Sequence, residues 1–131
     1  PHVTVIGAGA GGVELALAMA FRLQGLGRTP RITLVEAASP LREVGAAARA
    51  ALLARLGAAG IDLRSGAAPL RVESGALVLP GGALRSDLTV AVAGARPQGW
   101  LAGTGLALAD GFVRVGATLQ SSDPAVFAVG D

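Results

Sequence analysis

The run VTVIGAGAGG at residues 3–12 constrains the fold of this chain more than any other stretch. Its β-branched residues predict a short buried strand, and the glycines that follow predict a tight turn. Gly7, Gly9 and Gly12 have the G-x-G-x-x-G spacing, and the residues after them are mostly helix-forming. A strand, a glycine turn and a helix in this order are typical of the first unit of a dinucleotide-binding fold.

Each glycine of the turn has a separate predicted role. Gly7 turns the chain out of the strand, Gly9 lets the backbone approach a pyrophosphate, and Gly12 lets the helix pack closely. The backbone N–H groups of the first helical turn, including those of Ala10 and Gly11, face the phosphates together with the positive end of the helix dipole. Because the chain contains 20 glycines, the spacing alone is a weak signal, and a turn without a ligand remains the alternative.

An acidic residue at the end of a second buried run strengthens the prediction. Glu36 closes the run RITLVE and lies 24 positions after Gly12, near the roughly 20 expected for an acid that binds the adenosine ribose. Its carboxylate would repel a 2′-phosphate, and Ala37 and Ala38 supply no compensating cation. NAD(H) is therefore favoured over NADP(H), and Arg42 is the one residue that would weaken the preference.

Two other polar residues have simple explanations. Glu14 lies near the start of the predicted helix, where the helix dipole stabilises a carboxylate without any ligand. His2 is the only histidine and stands at the frayed start of the chain. We therefore predict no catalytic acid or base and no metal site in this chain.

The remaining pattern predicts an α/β fold, a Rossmann-like parallel sheet (βαβαβ) with an antiparallel β-meander. Short runs separated by ESGA and PGGA have the turn chemistry of a meander. The predicted elements are strands at 2–6, 31–36 and 60–66, helices at 12–26 and 43–58, meander strands near 69–73, 76–79 and 84–86, and a buried strand within 86–97.

Composition excludes several other classes of protein. The net charge is only +2, and the sequence pI of about 11.0 arises because every cation is an arginine and no Lys, Tyr or Cys titrates at intermediate pH. The arginines are scattered rather than clustered, which argues against nucleic-acid binding. Glycines and one glutamate interrupt the apolar opening before about 20 residues, so no transmembrane segment is predicted.

Three motifs together resemble the NAD(P)H-binding domain of pyridine nucleotide-disulphide oxidoreductase-type flavoproteins, an FAD/NAD(P)-binding fold. They are GAGAGGVELA at 7–16, AVAGARP at 91–97 and VFAVGD at 126–131. The chain most resembles the branch of type II NADH dehydrogenases, including flavoproteins joined to selenide, water dikinase. The resemblance implies that NADH docks over the glycine turn and reduces the flavin at N5, with Glu14 near the nicotinamide carboxamide.

The same resemblance implies roles for Gly94 and Asp131. Gly94 belongs to the ATG-type motif, in which AVAG here lacks the usual hydroxyl, and Asp131 matches the acid that holds the FAD ribityl chain. Residues 1–97 would form the NAD(H)-binding domain, and residues 98–131 would return to the FAD-binding domain of a longer parent enzyme. The first FAD fingerprint of the family would precede residue 1, so we expect FAD in the parent and none retained by this chain alone.

Further expectations follow from this interpretation. Strands near 112–115 and 126–129 would lack their flavin-domain sheet, which predicts mobility or self-association through residues 98–131. A cytoplasmic location is expected, and the resemblance to type II dehydrogenases leaves open whether the parent attaches to the inner face of the membrane. Two alternatives remain, a stand-alone NAD(H)-sensing module and an S-adenosylmethionine-dependent methyltransferase, and neither explains the motifs at 91–97 and 126–131.

Overall fold

The parallel sheet expected from the sequence is present in the computed structural model, which describes residues 1–130. The chain divides into two units, Pro1–Gly94 and a second that begins at Ala95, three residues before the predicted boundary. The first unit contains, in chain order, β1 (His2–Ile6), α1 (Ala10–Gly25), β2 (Arg31–Glu36), α2 (Ala46–Ala58), β3 (Asp62–Ser65), β4 (Arg71–Glu73), β5 (Ala76–Leu79), β6 (Gly82–Arg85) and β7 (Leu88–Ala91).

The strand order of the parallel sheet brings the ends of β1 and β2 together. The sheet has the order β3-β2-β1-β7, and β4, β5 and β6 form a separate antiparallel meander, so the predicted fold class is confirmed. Ile6 is in register with Val35, and therefore Gly7 and Glu36 leave the sheet at the same edge. This is the carboxyl edge, where open parallel sheets bind their ligands.

Each face of the sheet packs on a different layer. One face carries Val3, Val5 and Leu34 against α1 and α2, where Val13, Ala16 and Leu56 are buried. On the other face, Val35 of β2 is buried against Leu77 and Leu79 of β5 in the meander, and Ile6 of β1 packs against this cluster. Small alanines on α1 allow the helix to lie close to the sheet, and this packing fixes the position of its N-terminus.

Two helix starts differ from the sequence-based prediction. α1 begins at Ala10 rather than Gly12, because Gly9 already has the extended conformation of an N-cap. α2 begins at Ala46 rather than residue 43, because Leu41 has a left-handed backbone and Gly45 an extended one. The residues before α2 therefore form a loop, and that loop lies against the glycine turn.

The second unit contains short local pairings and has no buried residue among its described positions. It consists of a 3₁₀ helix at Gly99–Gly103, a hairpin of β8 (Leu108–Ala109) and β9 (Phe112–Val113), and one bridge between Gln120 and Phe127. The segments expected to lack partner strands are thus paired locally, over fewer residues than predicted. Trp100, Phe127 and Val129 remain largely exposed.

Replacing Leu34 by alanine tests the packing of the first unit. Leu34 is fully buried in β2, whereas Leu70 is 63% exposed and serves as a matched control. We expect Leu34→Ala to lower the free energy of unfolding by about 2–5 kcal/mol. Leu70→Ala should change it by less than about 0.5 kcal/mol. Equal losses in urea unfolding of the two variants would contradict this description of the core.

Candidate functional site

The glycine turn after β1 is tightly enclosed by backbone. Gly7 has a φ of +102°, which disfavours any residue with a side chain, and its N–H donates to the carbonyl of Val35 at 2.8 Å. A Cβ atom at Gly7 would lie 2.6 Å from the carbonyl oxygen of Val92, which follows β7. The turn therefore joins β1, β2 and β7 and has no room for a larger residue.

Gly12 allows α1 to rest directly on this turn. A Cβ atom at Gly12 would overlap the carbonyl oxygen of Gly7. The sequence predicted close packing of the helix here, and the structure shows that the partner is the backbone of the turn itself. Gly9 is the N-cap of α1, and because glycine has no side chain it offers no side-chain acceptor to the helix N–H groups. The N-cap residue therefore leaves the first N–H groups of α1 to acceptors from elsewhere, and such groups at a helix N-terminus bind anions.

Glu36 is positioned by the backbone of the same turn. Its Oε2 accepts the N–H of Ala8 at 2.8 Å, and its Oε1 accepts the N–H of Ala38 at 2.9 Å. These N–H groups hold the pKa of Glu36 below its ordinary value, with a smaller contribution from the Arg42 guanidinium, while partial burial acts in the opposite direction. The carboxylate is therefore negatively charged at neutral pH.

A second carboxylate at the turn was missed by sequence reasoning. Oε1 of Glu43 accepts the N–H of Ala10 at 2.8 Å, at the first residue of α1. Hydrogen bonds from its own N–H and from Ala10 lower the pKa of Glu43, and Arg42 adds to this effect. Glu43 lies 33 residues from Ala10 in the chain, and no spacing rule links an exposed loop acid to that amide.

The other predicted residues are placed less centrally. Gly11 is exposed in the first turn of α1. A Cβ atom at this position would lie 3.7 Å from Cγ1 of Val92. Glu14 is the fifth residue of α1, beyond its first turn, so the predicted dipole stabilisation at the helix start is wrong for this side chain. Gly94 is exposed with a φ of +80°, and Asp131 lies outside the described residues.

The described residues also form a groove away from the turn. A groove of about 560 Å³ lies between residues 63–67 and 79–83, beside the edge strand β3, and includes no residue of the glycine turn. Its one charged side chain, Arg64, is paired with Asp62. Over residues 1–130, no cluster of three acidic or histidine side chains is arranged to hold a metal ion. No described helix is both long and apolar enough to cross a bilayer.

The whole chain is similar to one known family. Residues 1–131 match the family described as pyridine nucleotide-disulphide oxidoreductase. This chain belongs to that family. It is 36% identical over 139 residues to the nitric oxide reductase FlRd-NAD(+) reductase of Aeromonas hydrophila subsp. hydrophila, covering 99% of this chain and 34% of that protein.

Solved structures of pyridine nucleotide-disulphide oxidoreductases share the fold. An FAD-dependent member from Desulfovibrio vulgaris superposes with a TM-score of 0.79 at 25% identity, covering 99% of this chain and 34% of its own. A water-forming NADH oxidase from Lactobacillus brevis, bound to NADH, has a TM-score of 0.69 at 26% identity, covering 98% and 29%. The chain spans about a third of the length of these relatives.

Replacing Gly12 by alanine tests the contact between α1 and the turn. The added methyl group has no space beside the carbonyl of Gly7. We therefore expect the free energy of unfolding to fall by about 1–3 kcal/mol. Gly57 is a matched control in α2, because a Cβ there meets no atom within 4 Å. Gly57→Ala should raise stability by about 0.5–1 kcal/mol. Stabilisation of both variants in thermal melts would contradict the packing described here.

The lowered pKa of Glu36 predicts a pH-dependent contribution to stability. The folded chain favours the deprotonated form, so the stabilisation is complete above the unfolded pKa and is lost as pH falls through the lower folded pKa. At pH 7 we expect Glu36→Gln to lower the free energy of unfolding by up to about 1 kcal/mol, because solvent screens this partly exposed carboxylate. Below about pH 4 the difference from the unmodified chain should shrink toward zero. A difference independent of pH in denaturant unfolding would contradict the assignment.

Proposed function

We propose that this chain is the NAD(H)-binding part of an FAD-dependent pyridine nucleotide oxidoreductase. The observation that carries the proposal is the meeting of the Gly7 turn, the N-terminus of α1 and the Glu36 carboxylate at one sheet edge. Family membership supports it and argues against the methyltransferase alternative. The NADH complex of the Lactobacillus brevis oxidase is consistent with the same use of the fold.

The residues of the turn fit the pyrophosphate of a dinucleotide. The absence of a side chain at Gly9 opens the space over the helix N-terminus, and the N–H groups of Ala10 and Gly11 would donate to phosphate oxygens. Glycine at positions 7 and 12 keeps α1 close enough for its dipole to act on the phosphates. The chain would thus hold the anion without any lysine, of which it has none.

Glu36 would bind the adenosine ribose and favour NADH over NADPH. Each of its oxygens accepts one backbone N–H, and a carboxylate offers roughly four acceptor positions, so capacity remains for ribose hydroxyls. Those backbone bonds keep the group charged, and a charged carboxylate repels a 2′-phosphate. Arg42 contributes a nearby positive charge, which reduces this repulsion without removing it.

The rest of the parent enzyme would supply the electron acceptor. Bound NADH supplies a hydride and FAD accepts it, so this chain's part is to bind and orient the nicotinamide dinucleotide. Glu14 would lie near the nicotinamide, and Gly94 and Asp131 near the FAD. Residues 98–131 would belong to the FAD-binding domain, with FAD held by the parent and not by this chain alone. Exposed apolar side chains of residues 98–131 would favour self-association in the absence of the FAD-binding domain. The parent would be cytoplasmic.

Affinity for the two nucleotides tests the proposal. We expect isothermal titration calorimetry to show that the unmodified chain binds NADH at least about tenfold more tightly than NADPH, because one charge repulsion of about 1.4 kcal/mol suffices for that ratio. The double variant Glu36→Ala with Ala37→Arg removes the repulsion and adds a cation, and should reverse the preference. Glu73→Ala, a remote exposed position on β4, is the control and should leave the ratio unchanged.

Two results would contradict the proposal. Absence of saturable binding to either nucleotide would overturn the assignment of the chain as a nucleotide-binding part. Tighter binding of NADPH by the unmodified chain would overturn the role given to Glu36. The proposed binding of the pyrophosphate at the N-terminus of α1 would still stand.

A further inference from the structure

We propose that the Glu43 carboxylate occupies the position at the N-terminus of α1 where a phosphate of the dinucleotide would bind. A dinucleotide must displace this internal anion to bind. This inference rests on the function proposed above and adds a residue that sets the affinity of the same site. Glu43 belongs to neither the glycine motif nor the ribose-binding position, and it reaches the turn from the loop before α2.

The position of the carboxylate is that of a phosphate oxygen at a helix N-terminus. Its Oε1 accepts the N–H of Ala10 at 2.8 Å and lies 3.0 Å from where a Cβ of Gly9 would stand. The first turn of α1 contains no acidic residue of its own, and its N-cap provides no side-chain hydrogen bond. Glu43 therefore satisfies the backbone donor that a pyrophosphate would use.

A strained backbone holds Glu43 at this position. Leu41 has a φ of +54°, although it is a buried residue with a branched side chain. Its N–H donates to the carbonyl of Ala8 at 2.7 Å, and its own carbonyl accepts the N–H of Val44 at 3.1 Å. A conformation that costs about 1–2 kcal/mol persists because the turn and the core fix it from both sides.

The exposed Glu43 side chain is able to leave without disturbing this anchor. Leu41 is buried and bonded to the turn, whereas Glu43 is exposed and bonded to α1 only through its carboxylate. Rotation about the Glu43 side chain therefore opens the Ala10 N–H while the loop stays in place. The lowered pKa of Glu43 means that the group competing with a phosphate is charged at neutral pH.

Competition predicts that removing Glu43 tightens binding. NADH must break the bond between Glu43 and Ala10 and must approach two carboxylates, those of Glu43 and Glu36, with one guanidinium, Arg42, near both. The stabilisation of an anion at a helix N-terminus typically corresponds to a factor of about two to five in a binding constant. Displacing Glu43 should weaken NADH binding by this factor. Glu43 would keep the site from retaining simple anions when no dinucleotide is present.

The test compares binding of NADH and of inorganic pyrophosphate to variants of the chain. In calorimetric titrations at fixed ionic strength, Glu43→Ala should bind both ligands about fivefold more tightly, and Glu43→Gln should fall between it and the unmodified chain. Glu73→Gln also removes one negative charge, at an exposed remote site, and should leave both affinities unchanged. The amide resonance of Ala10 should move in ligand-free Glu43→Ala, which reports loss of the hydrogen bond directly.

The outcomes separate this inference from the proposed function. If the unmodified chain binds NADH and both Glu43 variants bind it equally or more weakly, the inference is overturned and the proposed function stands. If Glu73→Gln tightens binding as much as Glu43→Gln, the effect is one of net charge and the inference is also overturned. If no version of the chain binds NADH, the proposed function fails and this inference fails with it.

Discussion

The close contact between Gly12 and the carbonyl of Gly7 is the constraint on which the rest of the site depends. It brings the N-terminus of α1 down onto the carboxyl edge of the sheet, where β1, β2 and β7 end side by side. Val13, Ala16 and Ala20 on the inner face of α1 sustain this approach, because they fill the core without pushing the helix away. A helix N-terminus held beside an acid therefore follows from packing rather than from any charged motif.

The loop between Glu36 and α2 turns this packed edge into a charged site. It touches the glycine turn three times, through Glu36 to Ala8, through Leu41 to the carbonyl of Ala8, and through Glu43 to Ala10. In the first and third contacts, backbone N–H groups donate to a carboxylate. These hydrogen bonds lower the pKa values of Glu36 and Glu43. Two charged carboxylates therefore lie beside the N-terminus of α1, and in the proposed function they control which anion enters and how tightly it binds.

The sequence predicted the parts of this arrangement that depend on local conformation. Gly7 was predictable because a tight turn after a buried strand needs a positive φ, and Glu36 because it ends a β-branched run at a known spacing. Glu43 was not predictable, since its role depends on the left-handed backbone of Leu41, which no propensity favours. The pairings near Phe112 and Phe127 were also missed, because hairpins of two residues leave almost no periodicity to detect.

An amide NMR titration of the chain with NADH tests most directly whether the glycine turn binds the dinucleotide. We expect saturable shifts at the amides of Ala8, Ala10 and Gly11, whereas the amides of the groove at residues 63–67 and 79–83 should stay unchanged. The same titration of Gly9→Val, which fills the space over the helix N-terminus, should show no such shifts. Shifts confined to the groove, or the same shifts at the turn in Gly9→Val, would contradict the claim that the glycine turn binds the dinucleotide.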